Sequence, residues 1–454
     1  MKPNARKALG PAQILTLGFL AVVLLGAYLL CLPIAVNDGV SPLNFVDALF
    51  TSTSAVCVTG LTVVNTGLTF SLFGKIVLIC LIQVGGLGFM TVAAILFMVI
   101  GKHITLRNRV VIQESFSTDT LQGLSKLVLN AIIVTFSIEA SGAILLMFRM
   151  IPTYGTATGI FYSVFLAISA FCNAGFDPFG FECSIVEYQT DPLINLVLMA
   201  LVILGGTGFA VIAEVCKPKK NRPLSLHSRV VLAMSAALLV VGTALILLTE
   251  WSNPETLGKE GLTFADKLLM AAFQSATLRT AGFDAIGQGN LSPAGMLVGI
   301  LLMFIGASPA STGGGIKTTT FFIALVTVVS VIRQKEDYNI GKRRLSVQQV
   351  RKAQAILFMA LSVVVVDTFL ICFIQSVGGI PMALPDVVYE VVSACATVGL
   401  STGITASLFP LSKLILIATM FAGRVGLLTV TLALSGNPQK NNAVRYPEER
   451  IMVG

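Results

Sequence analysis

The chain has 454 residues, of which 55% are hydrophobic and only 11% are charged, and its mean hydropathy is +0.88. An average soluble domain is about 25% charged, so the composition excludes an ordinary soluble enzyme, a disordered chain and a nucleic-acid-binding domain. The apolar residues form long continuous runs rather than an alternating pattern. They therefore predict a helical membrane protein with several spans, not a transmembrane barrel.

The net charge of +8 is a signal of membrane topology. Twenty-two of the 30 Lys and Arg residues fall in five segments, separated by stretches with little positive charge: 1–12, 101–126, 216–229, 333–352 and 436–454. By the positive-inside rule all five segments, and both termini, are expected on the cytoplasmic side. The first apolar run, 14–34, is longer than the core of a signal peptide and predicts an uncleaved membrane helix.

Cysteine and histidine indicate no metal or redox chemistry. The eight cysteines form no C-x-x-C pair, and most lie in apolar stretches where buried free thiols are expected. His103 and His227 both lie in basic loops. The sequence therefore predicts no zinc site.

A short motif occurs four times along the chain. Each copy reads Ser-Ala, a spacer of four residues (five in the third copy), a glycine and a large apolar residue. The copies begin at Ser54, Ser169, Ser275 and Ser393, and their glycines are Gly60, Gly175, Gly282 and Gly399. These glycines are 115, 107 and 117 residues apart, so the repeating unit is about a quarter of the chain.

Each copy of the motif has the same surroundings. A long apolar helix is predicted upstream, at about 13–34, 127–150, 228–249 and 354–376. A second is predicted downstream, at about 73–100, 193–216, 294–332 and 411–434. The run into each motif is about 11–14 residues, too short for the roughly 20 needed to cross a bilayer. Residues suited to a helix N-terminus begin three of these runs: Asn44 and Asp47, Asp266, and Asp386.

A short helix that does not cross must leave the membrane on the side where it entered. Non-helical backbone at membrane depth is tolerated only where it is buried in protein or lines a water-filled path. Four such loops can surround one axis, with helix C-termini and backbone carbonyls directed at a cation. Glycine suits such a loop because it adopts left-handed backbone angles and lets chains approach closely.

On these four motifs the chain resembles the Trk/Ktr/HKT superfamily of potassium transporters over essentially its whole length, and most closely the bacterial Ktr-type membrane subunit. The resemblance implies an all-α membrane protein with eight transmembrane helices. Its four helix–re-entrant pore loop–helix repeats would surround one pseudo-fourfold pore. We expect these repeats at 1–110, at 111–223, at 224–345 with an intramembrane gating loop, and at 346–454 with the C-terminal tail.

The resemblance also implies a selectivity filter that binds potassium at backbone carbonyls. Carried over position by position, its residues are Cys57, Val58, Thr59 and Gly60; Cys172, Asn173, Ala174 and Gly175; Arg279, Thr280, Ala281 and Gly282; and Ala396, Thr397, Val398 and Gly399. Only the last segment approaches the T-V-G-Y-G of potassium channels, so fewer carbonyl rings are expected. All four glycines favour potassium, since family members with serine at such a position tend toward sodium permeation.

The implied function is potassium uptake across the cell membrane by a channel-like translocating subunit, without enzymatic activity. A secondary cation symporter and a less selective potassium/sodium pore stay open as alternatives, as does sodium as an activator. Symporters built on inverted repeats usually have an odd number of helices per repeat. Two spans per repeat give all four the same orientation, which favours a pore.

Arg279 stands beside the third filter glycine, where a cation is unexpected. We interpret it as pointing away from the pore and anchoring its loop to carbonyls or carboxylates. The family has an arginine here too.

The second helix of the third repeat is interrupted by Pro309 and three consecutive glycines, which a regular helix does not accommodate. It is no Walker A loop, because Ile316 separates Gly315 from Lys317. The resemblance implies an intramembrane gate below the filter, made by Gly306, Ser308, Ser311, Thr312, Gly313, Gly314, Gly315 and Lys317.

The other second helices contain the clusters 85–88, 205–208 and 423–426, of which we attribute the first two to close helix packing. Arg424, inside the last cluster, is costly in a membrane and needs a partner. By resemblance it belongs to the gate as an electrostatic barrier and a hydrogen-bond partner of the gating loop. The alternative is an ion pair with Asp367, Glu390 or Glu139.

No nucleotide-binding fingerprint occurs in the sequence, so we expect no nucleotide to bind this chain. The resemblance implies a homodimer, joined in part by the C-terminal tail, and a cytosolic ring of RCK-type proteins that binds ATP or ADP. Such a ring would dock on the basic loops 101–126, 217–229 and 333–352 and on the tail 436–454. The alternative is that these charges set topology and contact lipid head groups.

Overall fold

The computed structural model describes residues 10–88, 124–180, 184–216, 223–335, 337–341 and 343–435. These residues are mostly helical, with one two-stranded antiparallel ladder, β1 (Asn339–Ile340) with β2 (Arg343–Arg344). The α-helices are α1 Pro11–Leu30, α2 Phe45–Val56, α3 Thr66–Thr69, α4 Leu72–Leu87, α5 Leu124–Tyr154, α6 Thr156–Phe171, α7 Pro192–Thr207, α8 Phe209–Cys216, α9 Leu226–Glu250, α10 Phe264–Thr277, α11 Pro293–Phe304, α12 Thr318–Ile332, α13 Val347–Val377, α14 Leu384–Ala396, α15 Pro410–Val425 and α16 Leu427–Ser435. Short 3₁₀ turns cover Pro33–Ala35, Val186–Tyr188, Gln288–Asn290 and Thr405–Ser407.

Among the residues that the structure describes, four single helices are long and apolar enough to cross a membrane, namely α1, α5, α9 and α13. Large apolar side chains on them face outward rather than into the core, for example Phe148 on α5, Leu248 on α9 and Phe358 on α13. An apolar outer surface of this kind suits contact with lipid. The long helix predicted upstream of each motif is therefore present.

A short helix follows each long one: α2, α6, α10 and α14, with 12, 16, 14 and 13 residues. Asn44 accepts a hydrogen bond from the Asp47 N–H at 2.9 Å, and Thr263 and Asp266 form a capping box, as expected for helix starts. Asp386 lies in the first turn of α14. All four helices are shorter than a membrane span, which fits the predicted re-entrant segments.

The second apolar helices differ from the prediction of continuous helices. Between α7 and α8, and again between α15 and α16, the axis bends by 102°. The breaks fall at Gly208 (φ 98°) and Gly426 (φ 100°), and α4 likewise ends at Gly88 (φ 80°). These left-handed angles end a helix and favour glycine. The predicted helix 73–100 continues beyond the described residues.

The packing order of the helices closes on itself. Each second helix contacts the short helix of the following repeat: α4 packs on α6, α7 on α10, α11 on α14, and α15 on α2. At the closing contact Lys413 Nζ pairs with Asp47 Oδ1 at 2.8 Å. The four short helices are thereby brought around one centre, with their C-terminal ends leading into the glycine motifs.

Candidate ion pathway

The four motif segments share one backbone conformation. Their glycines have φ angles of 94°, 69°, 80° and 96°. Two residues before each glycine a non-glycine residue is also left-handed: Val58 (56°), Asn173 (61°), Thr280 (67°) and Thr397 (52°). Such angles cost roughly 1–3 kcal/mol each and persist only where the surroundings impose them. The fourfold recurrence indicates that the fold holds all four segments in one shape.

The four glycines form a closed ring of backbone contacts. A methyl group built on any one of them would crowd or overlap the carbonyl oxygen that precedes the glycine of a neighbouring segment. The pairs run around the ring, Gly60 against Ala174, Gly175 against Ala281, Gly282 against Val398 and Gly399 against Thr59. All sixteen residues assigned to the filter by resemblance are buried here. The structure therefore brings the four distant motifs together at one point.

Hydroxyl groups tie three of these segments to the ends of their short helices. Ser54 Oγ accepts from the Gly60 N–H, and Ser393 Oγ from the Gly399 N–H, each at 3.0 Å. Ser169 Oγ donates to the carbonyl of Phe176 at 2.6 Å. These serines define the motif in the sequence, but their role as hydrogen-bonding ties was not predicted. Their recurrence in all four copies was the signal that could have indicated it.

The extra residue of the third motif changes this tie. Ser275 turns to α9, where its Oγ donates to the carbonyl of Leu239 at 3.0 Å. Thr277 takes its place, and its Oγ1 donates to the carbonyl of Phe283 at 2.8 Å. The longer spacer is thus accommodated by exchanging one hydroxyl for another.

Arg279 anchors the third segment to α9. Its guanidinium donates to the carbonyl and to the Oγ of Ser235, both at 3.2 Å. The prediction that this arginine ties down its loop is confirmed, and its partner is a serine and a backbone carbonyl rather than a carboxylate.

The break in the third repeat is a loop with a defined stem and tip, and Ile305 and Ile316 pair at the stem in a parallel bridge. In the stem the Gly306 N–H donates to Ile316 at 2.9 Å and the Ala307 N–H to Gly314 at 3.2 Å. We call residues 308–313 the loop tip. Three side-chain hydrogen bonds brace it: Ser311 Oγ donates to the Ser308 carbonyl at 2.6 Å, the hydroxyls of Ser308 and Thr318 pair at 3.0 Å, and Lys317 Nζ donates to the Gly313 carbonyl at 2.7 Å.

The loop tip docks on the bend between α7 and α8. The N–H groups of Ser308 and Thr312 donate to the carbonyls of Gly206 and Gly205 at 3.0 and 3.2 Å, and the Phe209 N–H donates to Ala310 at 2.9 Å. Carbonyls at a helix C-terminus have no partner in their own helix. The bend at Gly208 therefore supplies the acceptors that the tip uses.

The same tip also contacts the segments that form the ring. Thr312 Oγ1 is 2.9 Å from the Phe171 carbonyl and 3.0 Å from Asn173 Oδ1. A methyl group on Gly313 would overlap Thr280 Oγ1, and one on Gly314 would overlap Thr397 Oγ1. Two of the four left-handed residues, Asn173 and Thr280, thus contact the tip, a third, Thr397, contacts Gly314 of the stem, and only glycine fits next to Thr280 and Thr397.

The glycine clusters also serve close packing. A methyl group on Gly85 would overlap the carbonyl of Val56, and one on Gly205 that of Phe171. The packing interpretation is therefore confirmed for these two residues. It was incomplete, because the last glycine of each cluster ends or bends the helix.

Arg424 binds backbone carbonyls at the centre of the molecule. Its guanidinium donates to Thr312 of the loop tip, to Gly85, and to Gly86 at 3.2 Å. Arg424 therefore joins the end of α4 to the loop tip.

The ion-pair alternative for Arg424 is wrong within the part of the chain that the structure describes, where no carboxylate pairs with it. The three candidate acids have other partners: Asp367 accepts from Thr419 at 2.6 Å, Glu390 from Thr405, and Glu139 from Gln83 at 3.3 Å.

Two cavities lie on either side of this assembly. The first, of about 410 Å³, is lined by all four ring glycines and by polar residues that include Asp177 and Asp284. The second, of about 260 Å³, is lined by Gly313, Lys317 and Arg424 together with apolar residues of α1 and α13. Among the described residues, no three His, Cys, Asp or Glu side chains cluster in a way that could hold a metal ion.

The family follows from comparison with known proteins. A family model described as "TrkH: Cation transport protein" matches residues 32–445. The chain belongs to the TrkH family of cation transport proteins. This TrkH-family chain is 39% identical to the Ktr system potassium uptake protein B of Bacillus subtilis, covering 98% of this chain and 97% of that protein. It is 38% identical to the potassium/sodium uptake protein NtpJ of Enterococcus hirae, covering 100% and 99%.

The fold is also that of a solved transporter. The potassium transporter TrkH from Vibrio parahaemolyticus superposes with a TM-score of 0.70 at 18% sequence identity, covering 95% of this chain and 86% of that one. The chain is accordingly a mostly helical, multi-pass membrane protein of a cation transport family, as the resemblance implied.

Proposed function

We propose that this chain takes up potassium across the cell membrane as the channel-like translocating subunit of a Ktr-type system. The observation that carries the proposal is the closed ring of four segments, with the carbonyls of Thr59, Ala174, Ala281 and Val398 against neighbouring glycines. Such carbonyls can replace the hydration shell of an ion. The names of the two relatives, a potassium uptake protein and a potassium/sodium uptake protein, support the same ion class.

In this proposal the chain consists of four repeats, at 1–110, 111–223, 224–345 and 346–454, around one pseudo-fourfold pore. Eight spans follow if α1, α5, α9 and α13 are the first spans of the repeats. The second spans would then be α4 with its continuation, α7–α8, α11–α12 and α15–α16. Support comes from the cyclic packing order of the helices, in which the last repeat contacts the first.

The sixteen ring residues would form the potassium filter, and the loop at 306–317 with Arg424 would form the gate. The loop tip lies between the ring and the cavity that Lys317 and Arg424 line. Small residues let it move without unpacking large side chains. The gate would open when the tip leaves the carbonyls of Gly205 and Gly206.

The first expected result concerns Arg424, which holds the tip and adds positive charge to the pathway. At a few ångströms it would repel potassium by about 1–4 kcal/mol for effective dielectrics between those of bulk water and a protein surface. We expect Arg424→Ala to raise potassium flux per folded molecule about fivefold or more, which corresponds to lowering the barrier to permeation by about 1 kcal/mol. The flux of Arg424→Lys should lie between those of wild type and Arg424→Ala, because lysine keeps the charge and lacks the planar guanidinium.

Potassium flux into proteoliposomes, normalised to folded protein, measures this effect. Arg149→Ala is the matched control, since Arg149 pairs with Asp191 at 2.7 Å and its side chain is 57% exposed. The control should leave flux unchanged. Wild-type flux in Arg424→Ala would show that Arg424 neither obstructs the pathway nor holds the gate.

The proposed assembly is a homodimer in the cell membrane, with both termini cytoplasmic and an RCK-type ring that binds ATP or ADP on the cytosolic face. The Ktr name of the Bacillus relative describes a system and supports a membrane subunit with partners. Of the segments expected to dock the ring, the tail 436–454 and most of the loop 101–126 lie outside the described residues, whereas the loop 333–352 is largely described and contains the β1–β2 ladder. We propose that nucleotide binds the ring and not this chain, and that no nucleic acid is a partner.

A potassium/sodium pore of lower selectivity is the second candidate, favoured by the name of NtpJ. The secondary symporter is less well supported, because the four segments share one conformation and face one centre. Sodium as an activator is a separate proposal that uptake measurements can decide.

Growth of potassium-starved cells that lack their own uptake systems tests the proposed function. We expect the chain, expressed with its regulatory subunit, to restore growth at low external potassium. Membrane-inserted protein that does not restore growth would contradict the proposal. Parallel cultures with sodium or choline separate the remaining cases: rescue only with sodium indicates sodium activation, and equal rescue indicates none.

A further inference from the structure

A cluster of buried polar side chains lies next to the third filter segment. It consists of Gln274 on α10, Asp284, Gln288 in the 3₁₀ turn after the segment, and Tyr389 on α14. Gln274, Gln288 and Tyr389 are fully buried, and Asp284 is partly buried. Buried polar side chains destabilise a protein unless they are hydrogen-bonded to one another, so the pattern of bonds within the cluster is informative.

Gln288 is the centre of this cluster. Its Oε1 accepts from Tyr389 Oη at 2.7 Å and from Gln274 Nε2 at 2.6 Å. Its Nε2 donates to Asp284 Oδ1 at 2.7 Å and to Gln274 Oε1 at 3.2 Å. An amide group offers two donors and accepts at two lone pairs. All four positions are used, so the amide of Gln288 has one orientation that satisfies its neighbours.

The cluster connects three elements that border the ring. Gln274 lies on the helix that leads into the third segment, and Asp284 follows Gly282 by two residues. Tyr389 lies on the helix that leads into the fourth segment. Asp284 is bound further by the N–H groups of Ile286, Gly287 and Gln288, at 3.1, 2.8 and 3.1 Å. The exit of the third segment is therefore tied to two short helices.

The third segment is also where such a tie is needed. It has the longer spacer, and its motif serine has turned away to α9. A methyl group on Gly282 would lie 2.6 Å from the Val398 carbonyl, so a small shift of this segment changes its spacing to the fourth. Networks of buried hydrogen bonds resist such shifts cooperatively.

We propose that Gln288 and Tyr389 are positioning residues that hold the third segment at the spacing the ring needs to prefer potassium over sodium. Neither residue belongs to the sixteen ring residues. Both act through Asp284 and the backbone of the segment. The proposal rests on the assignment of the ring as the selectivity filter, so its test includes a filter variant.

Tyr389→Phe is the sharpest variant, because it removes one hydroxyl and keeps the size of the ring. We expect the potassium-to-sodium permeability ratio in proteoliposomes to fall about fivefold, equivalent to about 1 kcal/mol, the usual net value of one hydrogen bond. Gln288→Leu should lower the ratio at least as much. Adding Tyr389→Phe to Gln288→Leu should change nothing further, because Gln288→Leu already removes the acceptor of the Tyr389 hydroxyl.

Tyr154→Phe is the matched control. It removes the hydroxyl that pairs with Tyr188 at 2.7 Å, which is no part of the Gln288 cluster, and the ratio should not change. Gly282→Ser is measured in parallel to test the filter itself. If Gly282→Ser lowers the ratio and Tyr389→Phe does not, the positioning role is overturned and the filter stands.

Two further outcomes would also overturn the positioning role. If neither Gly282→Ser nor Tyr389→Phe changes the ratio, the filter assignment is wrong, and the positioning role falls with it. If Tyr389→Phe lowers thermal stability and total flux at an unchanged ratio, the cluster is structural only and the proposal is overturned. Tyr389→Phe alone suffices for these conclusions should Gln288→Leu not fold.

Discussion

Serine at Gly60 or Gly399 is expected to lower the preference for potassium over sodium by about tenfold or more. A side chain on Gly60 would meet the Ala174 carbonyl at 2.5 Å, and one on Gly399 would overlap the Thr59 carbonyl. Both glycines have φ near 95°, where a side chain adds strain. The carbonyls must move apart, and about 1.4 kcal/mol of lost discrimination gives a tenfold change.

The matched control is Gly39→Ser. Gly39 also has a left-handed φ, 84°, but no atom lies within 4 Å of a methyl group built there. It reproduces the backbone strain without crowding a carbonyl. Potassium and sodium uptake are compared in the three variants at equal membrane expression. If both ring variants keep the wild-type preference for potassium over sodium, these glycines do not form the filter.

Deleting Pro309–Thr312 from the loop tip is expected to raise potassium flux about tenfold or more, about 1.4 kcal/mol off the barrier. The deletion spares the stem bonds between Gly306 and Ile316 and between Ala307 and Gly314. It removes the bond from the Thr312 N–H to Gly205 and the one acceptor of Arg424 that lies in the tip. Flux should also lose its dependence on the regulatory subunit.

Thr312→Val provides a milder companion to this deletion. It removes only the hydroxyl that contacts Phe171 and Asn173 and keeps the length of the tip. Flux should rise by a smaller factor, with selectivity retained. A deletion variant that is folded and inserted, yet conducts no faster than wild type and still responds to its regulator, would show that the tip is no gate.

Local patterns were sufficient to predict much of this fold. The four Ser-Ala…Gly motifs predicted the re-entrant segments, because a run of about a dozen residues cannot cross a bilayer. Asn44 and Asp266 marked helix starts through capping chemistry that involves neighbouring residues alone. The same local reasoning found the interruption at Pro309, since proline and consecutive glycines cannot continue a helix.

Features that depend on distant contacts were missed or were expected only from the family resemblance. A glycine cluster such as 205–208 is compatible with either close packing or a bend, and only the loop tip that docks there explains the bend. The bond of Arg424 to the gating loop, at Thr312 more than 100 residues away, was expected only from the resemblance, and its bond to Gly85, more than 300 residues away, was missed. The amide cluster at Gln288 joins two repeats. Neither composition nor periodicity reports such contacts.

The most direct measurement of the central claim is the position of a bound ion. Rubidium and thallium scatter strongly and replace potassium in oxygen sites of similar size, so either can be soaked into crystals of the protein. We predict an anomalous peak at the centre of the ring, next to the carbonyls of Thr59, Ala174, Ala281 and Val398, and its loss in Gly399→Ser. Ordered ring segments with no peak between them, or an unchanged peak in Gly399→Ser, would contradict the account.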